Sequence, residues 1–320
     1  MEKQRLTDLH LHLDGSLSPE IVLKLAKMSD VKLPADTKEE LEKYLSVDIN
    51  CESLNDYLKC FDLPLLVLQT PETLELAAYN LGKRLNEQGI SYAEIRYAPQ
   101  LHKQREMSQK DAVEAVLKGF AKVMEEENIQ LRVILCCMRG DKSNPDVEKE
   151  NLETIRLVKE YLGKGVVAAD LAGAEALFPT CDFKAEFELS KELNIPFTIH
   201  AGEAAGPESI WKALEFGAKR IGHGVRAIED EALMAELVKR KIPLEMCPTS
   251  NLQTKAVQNL EEYPLREYLK RGMIVTINTD NMTVSGTTME KEYALLRERY
   301  ALTEEEEKQL KQNGVEAAFE

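Results

Sequence analysis

The stretch TDLHLHLDG, Thr7–Gly15, lies almost at the start of the chain and places two of its five histidines, His10 and His12, one residue apart. In a β-strand successive side chains alternate between faces, so residues two apart point the same way. If Leu6–Leu13 is a strand, two imidazoles stand side by side on one face. Such a pair can grip a metal ion. It can equally be two polar residues on a solvated strand face, since so short a motif recurs by chance.

Working outward, short apolar, β-branched runs alternate with longer amphipathic stretches. After RLTDLHLHL come ISYAEIRYAP (Ile90–Pro99), LRVILCCMR (Leu131–Arg139), GVVAADLAG (Gly165–Gly173) and IPFTIHAGE (Ile195–Glu203). AKRIGHG (Ala218–Gly224), IPLEMCPTSN (Ile242–Asn251) and MIVTINTDN (Met273–Asn281) complete a set of eight. The intervening helices carry start signals: Ser18 before Pro19, and Thr70 before Pro71, each read as an N-cap followed by proline at the first helical position. Eight strand–helix units in ~250 residues predict an α/β fold, a closed (β/α)8 TIM barrel, with a doubly wound open sheet as the competing architecture. Between Gly15 and Gly89 no strand is legible. Helical patterns around 19–29, 38–46, 52–60 and 71–88 predict extra helices inserted after the first strand, a partial lid at about 16–89 over the barrel mouth. No linker or repeat divides the 320 residues, so a single domain is expected, and the acidic run at Thr303 reads as a helix start. The sequence ends in NGVEAAFE, where a truncated final helix is expected.

Composition narrows the partners. A net charge of −15 disfavours a nucleic-acid backbone or an anionic membrane, both of which reward a basic face. No apolar run approaches the ~20 residues that span a bilayer, and MEKQRLTDLH is too polar for a signal peptide. The six cysteines show no CxxC spacing and several lie in apolar runs, as expected of reduced, mostly buried thiols in a cytoplasmic protein.

In a barrel of this type the active site forms at the C-terminal ends of the strands. Four of the five histidines fall there: His10 and His12 on strand one, His200 on strand five and His223 on strand six. Asp14, Glu203 and Asp280 end strands one, five and eight, while His102 reads as a surface or lid residue. His10, His12, His200 and Asp280 form a nitrogen-rich set with one oxygen, suited to one Zn2+ or another borderline divalent ion. Strand four ends in AADLAG without a lysine to bridge a second metal. Glu203 and His223 remain beside the metal without being needed as ligands. A zinc site that keeps a water makes hydroxide available near neutral pH, and Glu203 as general acid with His223 orienting or deprotonating the water would complete a hydrolytic attack on a C=N or C=O group.

Six segments, LHLHLDGSL, DLAGAE, TIHAGE, RIGHGVR, CPTSN and INTDN, resemble in order and spacing the adenosine deaminase family of the metal-dependent amidohydrolases. The resemblance covers roughly residues 6 to 320. It implies a zinc-dependent (β/α)8 enzyme that converts adenosine to inosine, and 2′-deoxyadenosine to its deoxy counterpart, with release of ammonia in purine salvage. It further implies zinc held by His10, His12, His200 and Asp280, purine N1 protonated by Glu203, and His223 acting on the water as base or electrostatic partner. Substrate contacts are implied at His12, at Asp14 (ribose 5′-hydroxyl), at the Gly173 N–H (purine N3) and at Asn281. Two residues depart from the common pattern. Asn281 stands where many members have a second aspartate that donates to purine N7, and an asparagine amide donates without needing a carboxyl proton. Ala174 stands where LAGDE is common. Both departures bear on substrate identity, leaving as alternatives a deaminase of adenine or aminodeoxyfutalosine, or a catalytically silent nucleoside binder. The implied partner is a small purine nucleoside, with no nucleic acid, membrane or obligatory protein partner.

Overall fold

The computed structural model describes residues 6–48 and 50–319, so Arg5, taken into the first strand run, lies outside the described residues. Eight parallel strands form the centre: β1 (Leu6–His12), β2 (Ile90–Tyr97), β3 (Gln130–Met138), β4 (Val166–Ala172), β5 (Thr198–Ala201), β6 (Arg220–His223), β7 (Leu244–Met246) and β8 (Val275–Ile277). They pair as β1-β2-β3-β4 and β5-β6-β7-β8. Two further parallel bridges, Ala169 with Phe197 and Leu11 with Asp280, join these halves into a closed ring. The open-sheet alternative is thereby excluded.

β4, β5, β6, β7 and β8 are buried along their whole length, as parallel strands wrapped by helices must be. Helices follow most strands, among them Gln109–Glu126, Pro145–Tyr161, Pro207–Phe216 and Glu231–Arg240. Start signals read from the sequence act as expected. The Ser18 side chain accepts from the Ile21 N–H with Pro19 opening the helix, and Thr70 forms a reciprocal capping box with Thr73. Thr303 caps the helix Glu304–Glu316 in the same way.

Between β1 and β2 lie helices Pro19–Ser29, Lys38–Leu45, Leu54–Leu58, Asp62–Val67 and Pro71–Glu87. The fourth is absent from the sequence reading, because Pro64 inside DLPLLV argues against a helix; it lies in the first turn, where its missing N–H costs nothing. This insertion docks on the loop after β8, where Val47 N–H donates to Val284 O at 2.9 Å and Tyr57 Oη lies 2.6 Å from Ser285 Oγ. No described helix is long and apolar enough to cross a membrane.

The opposite end of the barrel is sealed by the C-terminal segment. Asn313 Nδ2 donates to Val275 O at 2.9 Å, and Arg220 Nη1 donates to Ala317 O at 2.7 Å beneath the Phe319 ring. Arg220, 1% exposed, also pairs with Glu94 and, at 2.6 Å, with Glu245. Removing one member of a buried ion network leaves its partners uncompensated. Arg220→Met is therefore expected to lower stability by ~3–5 kcal/mol, read as a fall in the denaturant midpoint; an unchanged midpoint would show that Glu94 and Glu245 do not depend on it.

Candidate active site

At the C-terminal ends of the strands a cavity of about 300 Å³ opens, within the range of small-molecule sites. Its wall includes His12, Asp14, Gly173, His200, Glu203, His223, Asp280 and Asn281, with Leu54, Tyr57 and Phe61 contributed by the inserted helices. His10 lies beneath, fully buried. All nine residues singled out from the sequence thus gather at one place. His102 does not belong with them, and it is not a surface residue either: it is fully buried, its Nδ1 2.8 Å from Leu68 O. There it ties the loop after β2 to the insertion.

The strand period explains the first pair. β1 carries His10 and His12 on one face, and Asp280 is brought to them by the bridge that closes the barrel: Asp280 N–H donates to His10 O at 2.8 Å and His12 N–H to Asp280 O at 2.7 Å. β8 itself ends at Ile277, so Asp280 sits three residues beyond it. Asp280 and His223 hold left-handed backbone conformations, φ 57° and 60°. Such non-glycine conformations cost of order 1–3 kcal/mol each and persist where the surroundings impose them.

The donor atoms converge. His12 Nε2 lies 3.3 Å from His200 Nε2 and 3.4 Å from Asp280 Oδ1, and His10 Nε2 lies 3.5 Å from the same oxygen. Ligands ~2.0–2.1 Å from a common tetrahedral ion stand about 3.3–3.4 Å apart, so these separations suit one small divalent cation. His10 Nε2 is buried and has no hydrogen-bond partner among the described residues. Three imidazoles and one carboxylate therefore fit a zinc-like metal on both chemistry and spacing.

Carboxylates behind two of these imidazoles aim them. Glu245 Oε2 stands 2.8 Å from His10 Nδ1, and Asp170 Oδ2 stands 2.8 Å from His200 Nδ1, leaving each Nε2 turned inward. Arg96 clamps both, at 2.9 Å from Glu245 and 3.0 Å from Asp170. Burial alone would raise these carboxyls, but His200 and Arg96 hold Asp170, and Arg96 with Arg220 hold Glu245, well below the usual carboxylate range. Sequence reasoning missed all three residues. Their signal was available: charges inside otherwise apolar runs, one in IPLEMCP and in VVAADLA and two in ISYAEIRY, must be paired when the strand is buried.

Glu203 has the opposite environment. Its carboxyl is buried and pushed well above its usual range by desolvation and by the neighbouring Asp280 and Glu175 carboxylates, which favours the protonated form. Oε1 accepts from Thr254 Oγ1 at 3.0 Å, and Oε2 lies 3.5 Å from His223 Nε2. The loop that carries it is gathered by Glu175, whose carboxylate accepts the N–H groups of Gly202, Glu203, Ala204 and Ala205 at 2.7–3.1 Å. Burial raises Asp14 to about 6. Asn281 owes its seat to Gly15: a Cβ there would come within 1.8 Å of Asn281 Oδ1.

A closed parallel barrel, metal-donor atoms at its C-terminal rim and an acid beside them define a metal-dependent amidohydrolase. The sequence profile of the adenosine deaminase family matches residues 6–320, and the chain belongs to that family. It is 56% identical over 316 residues to an adenosine deaminase of Haemophilus ducreyi, covering 98% of this chain and 91% of the relative. An adenosine deaminase of Clostridium botulinum is 42% identical over 315 residues, covering 98% and 92%. Among solved structures, adenine deaminase from Arthrobacter aurescens superposes with a TM-score of 0.88 at 27% identity, covering 99% of this chain and 94% of that one. The N6-methyl-AMP deaminase of Arabidopsis thaliana gives 0.84 at 25%, covering 99% and 92%.

Replacing a ligand removes metal without needing any substrate. His10→Ala is expected to lower the metal bound per chain, measured by atomic absorption after dialysis. Unchanged stoichiometry would remove His10 from the ligand set.

Proposed function

We propose that this protein is a zinc-dependent deaminase that hydrolyses adenosine, and 2′-deoxyadenosine, to the inosine nucleoside and ammonia in purine salvage. The observation that carries it is the four-donor cluster beside the buried Glu203 carboxyl, in a chain 56% identical over nearly its whole length to an adenosine deaminase. His10, His12, His200 and Asp280 would hold the zinc, one ion per chain. Zinc bound there supplies a water nucleophile near neutral pH.

The remaining steps belong to the side chains. Glu203, neutral at the start, donates its proton to purine N1 and makes C6 electrophilic. His223 faces the attacking water. The Gly173 N–H donates to N3, Asp14 accepts from the ribose 5′-hydroxyl, and the Asn281 amide donates to N7, with His12 at the substrate edge. We read the inserted helices as a lid belonging to the same single domain, since Leu54, Tyr57 and Phe61 form part of the cavity wall. Arg139, the cation bordering the cavity, is already committed: Nη1 donates to Phe178 O, and Nη2 to Thr180 Oγ1 and His200 O. That favours a nucleoside over a nucleotide. The six cysteines are free thiols, which supports a cytoplasmic setting, and the chemistry calls for no protein or nucleic-acid partner.

The test is a steady-state ultraviolet assay on adenosine, 2′-deoxyadenosine, adenine and AMP, with zinc determined on the same sample. Fast loss of adenosine absorbance with about one zinc per chain is the expected result, and activity confined to adenine or AMP would contradict the substrate assignment. Glu203→Gln keeps its zinc and loses ~10²–10⁴ in turnover, the usual worth of a general acid; near-normal activity would overturn its role.

A further inference from the structure

The segment CPTSN is part of the family resemblance, yet its last residue has no task in the reading above. Asn251 is fully buried in the short helix Pro248–Gln253 after β7. Its side-chain amide makes three contacts. Oδ1 lies 3.2 Å from the Cys247 backbone nitrogen and 3.0 Å from Tyr263 Oη. Nδ2 lies 3.0 Å from His223 Nδ1.

The sense of these bonds follows from the chemistry of the partners. A backbone N–H can only donate, so the amide atom facing Cys247 N must be the oxygen. The other end of the amide is then the NH2 group, which can only donate. His223 Nδ1 must accept from it and carries no hydrogen. A neutral imidazole has one ring hydrogen, and the only nitrogen left for it is Nε2, the one 3.5 Å from Glu203 Oε2.

We infer that Asn251 is a positioning residue that fixes the His223 tautomer, so that His223 meets the attacking water as a hydrogen-bond donor and not as its base. This rests on the reading that His223 faces that water. A ring whose Nε2 already bears hydrogen cannot take a proton there, and Nδ1 is occupied by the Asn251 amide. Of the two roles open to His223 in the sequence, base or electrostatic partner, the Asn251 contact selects the second. The Cys247 N–H and Tyr263 hydroxyl act one step further out, by holding the amide against a flip.

The first test uses the zinc-loaded wild-type protein. Long-range ¹H–¹⁵N NMR of the side-chain imidazoles has only five histidines to resolve, and His223→Gln identifies the His223 signals by their loss. The expected pattern is an unprotonated Nδ1 and a protonated Nε2 at mildly alkaline pH; hydrogen on Nδ1 overturns the inference with no variant at the asparagine required. The second test is Asn251→Asp, which keeps the shape and the acceptor for Cys247 N–H but offers His223 an acceptor in place of a donor. Hydrogen is expected to move to Nδ1, with zinc content retained. At the same pH kcat on adenosine should fall by roughly 10²-fold or more with KM within a few-fold, whereas a wrong tautomer in a protease triad costs ~10⁴. Unchanged kcat with a switched tautomer overturns the positioning role while the deaminase reading stands. Wild-type protein with the expected tautomer but no turnover of adenosine contradicts the deaminase reading and the role together.

Discussion

The aim of two donor imidazoles at the barrel mouth depends on one buried cation, Arg96. Its guanidinium, fully enclosed on β2, holds Glu245 of β7 and Asp170 of β4 across the barrel interior, and through them His10 of β1 and His200 of β5. Nη2 also donates to Leu9 O at 2.7 Å. A buried charge network of this kind is weak evidence for stability, since apolar packing does as well. Its product here is orientation: both imidazoles are fixed with Nε2 facing the same point.

Around that centre the molecule assigns different tasks to its two ends. The N-terminal ends of the strands meet the C-terminal segment, where Asn313, Ala317 and Phe319 satisfy Val275, Arg220 and Glu94. The C-terminal ends hold the strained backbone of His223 and Asp280, the loop gathered by Glu175, and the roof built by the insertion. His10, His12, His200 and His223 sit on the strands themselves, whereas Glu203, Asp280, Asp14, Ala174 and Asn281 follow the strand ends.

Much of this was legible in the sequence. Alternation of apolar runs with capped helices predicted the barrel, and the start of the helix Pro19–Ser29 was read to the residue. The nine candidate residues also come together as expected, because imidazoles and carboxylates at strand ends converge in a barrel by topology alone. Other features were hidden for physical reasons. β7 and β8 span three residues each, since the barrel needs only a few ladder bonds per strand there, and longer apolar runs overstate them. His102 is polar in a polar stretch, and only the insertion packed over it buries it. Arg96, Asp170 and Glu245 come from three different strands, and their pairing exists only once the ring closes.

The measurement that tests the account most directly is crystal diffraction at the zinc absorption edge from protein supplied with one equivalent of metal. A single anomalous peak is expected about 2.0–2.1 Å from His10 Nε2, His12 Nε2, His200 Nε2 and an Asp280 oxygen. Cys247 groups with His10 and Asp280 as another possible donor set. A peak on the Cys247 sulfur, or one remote from His12 and His200, would contradict it.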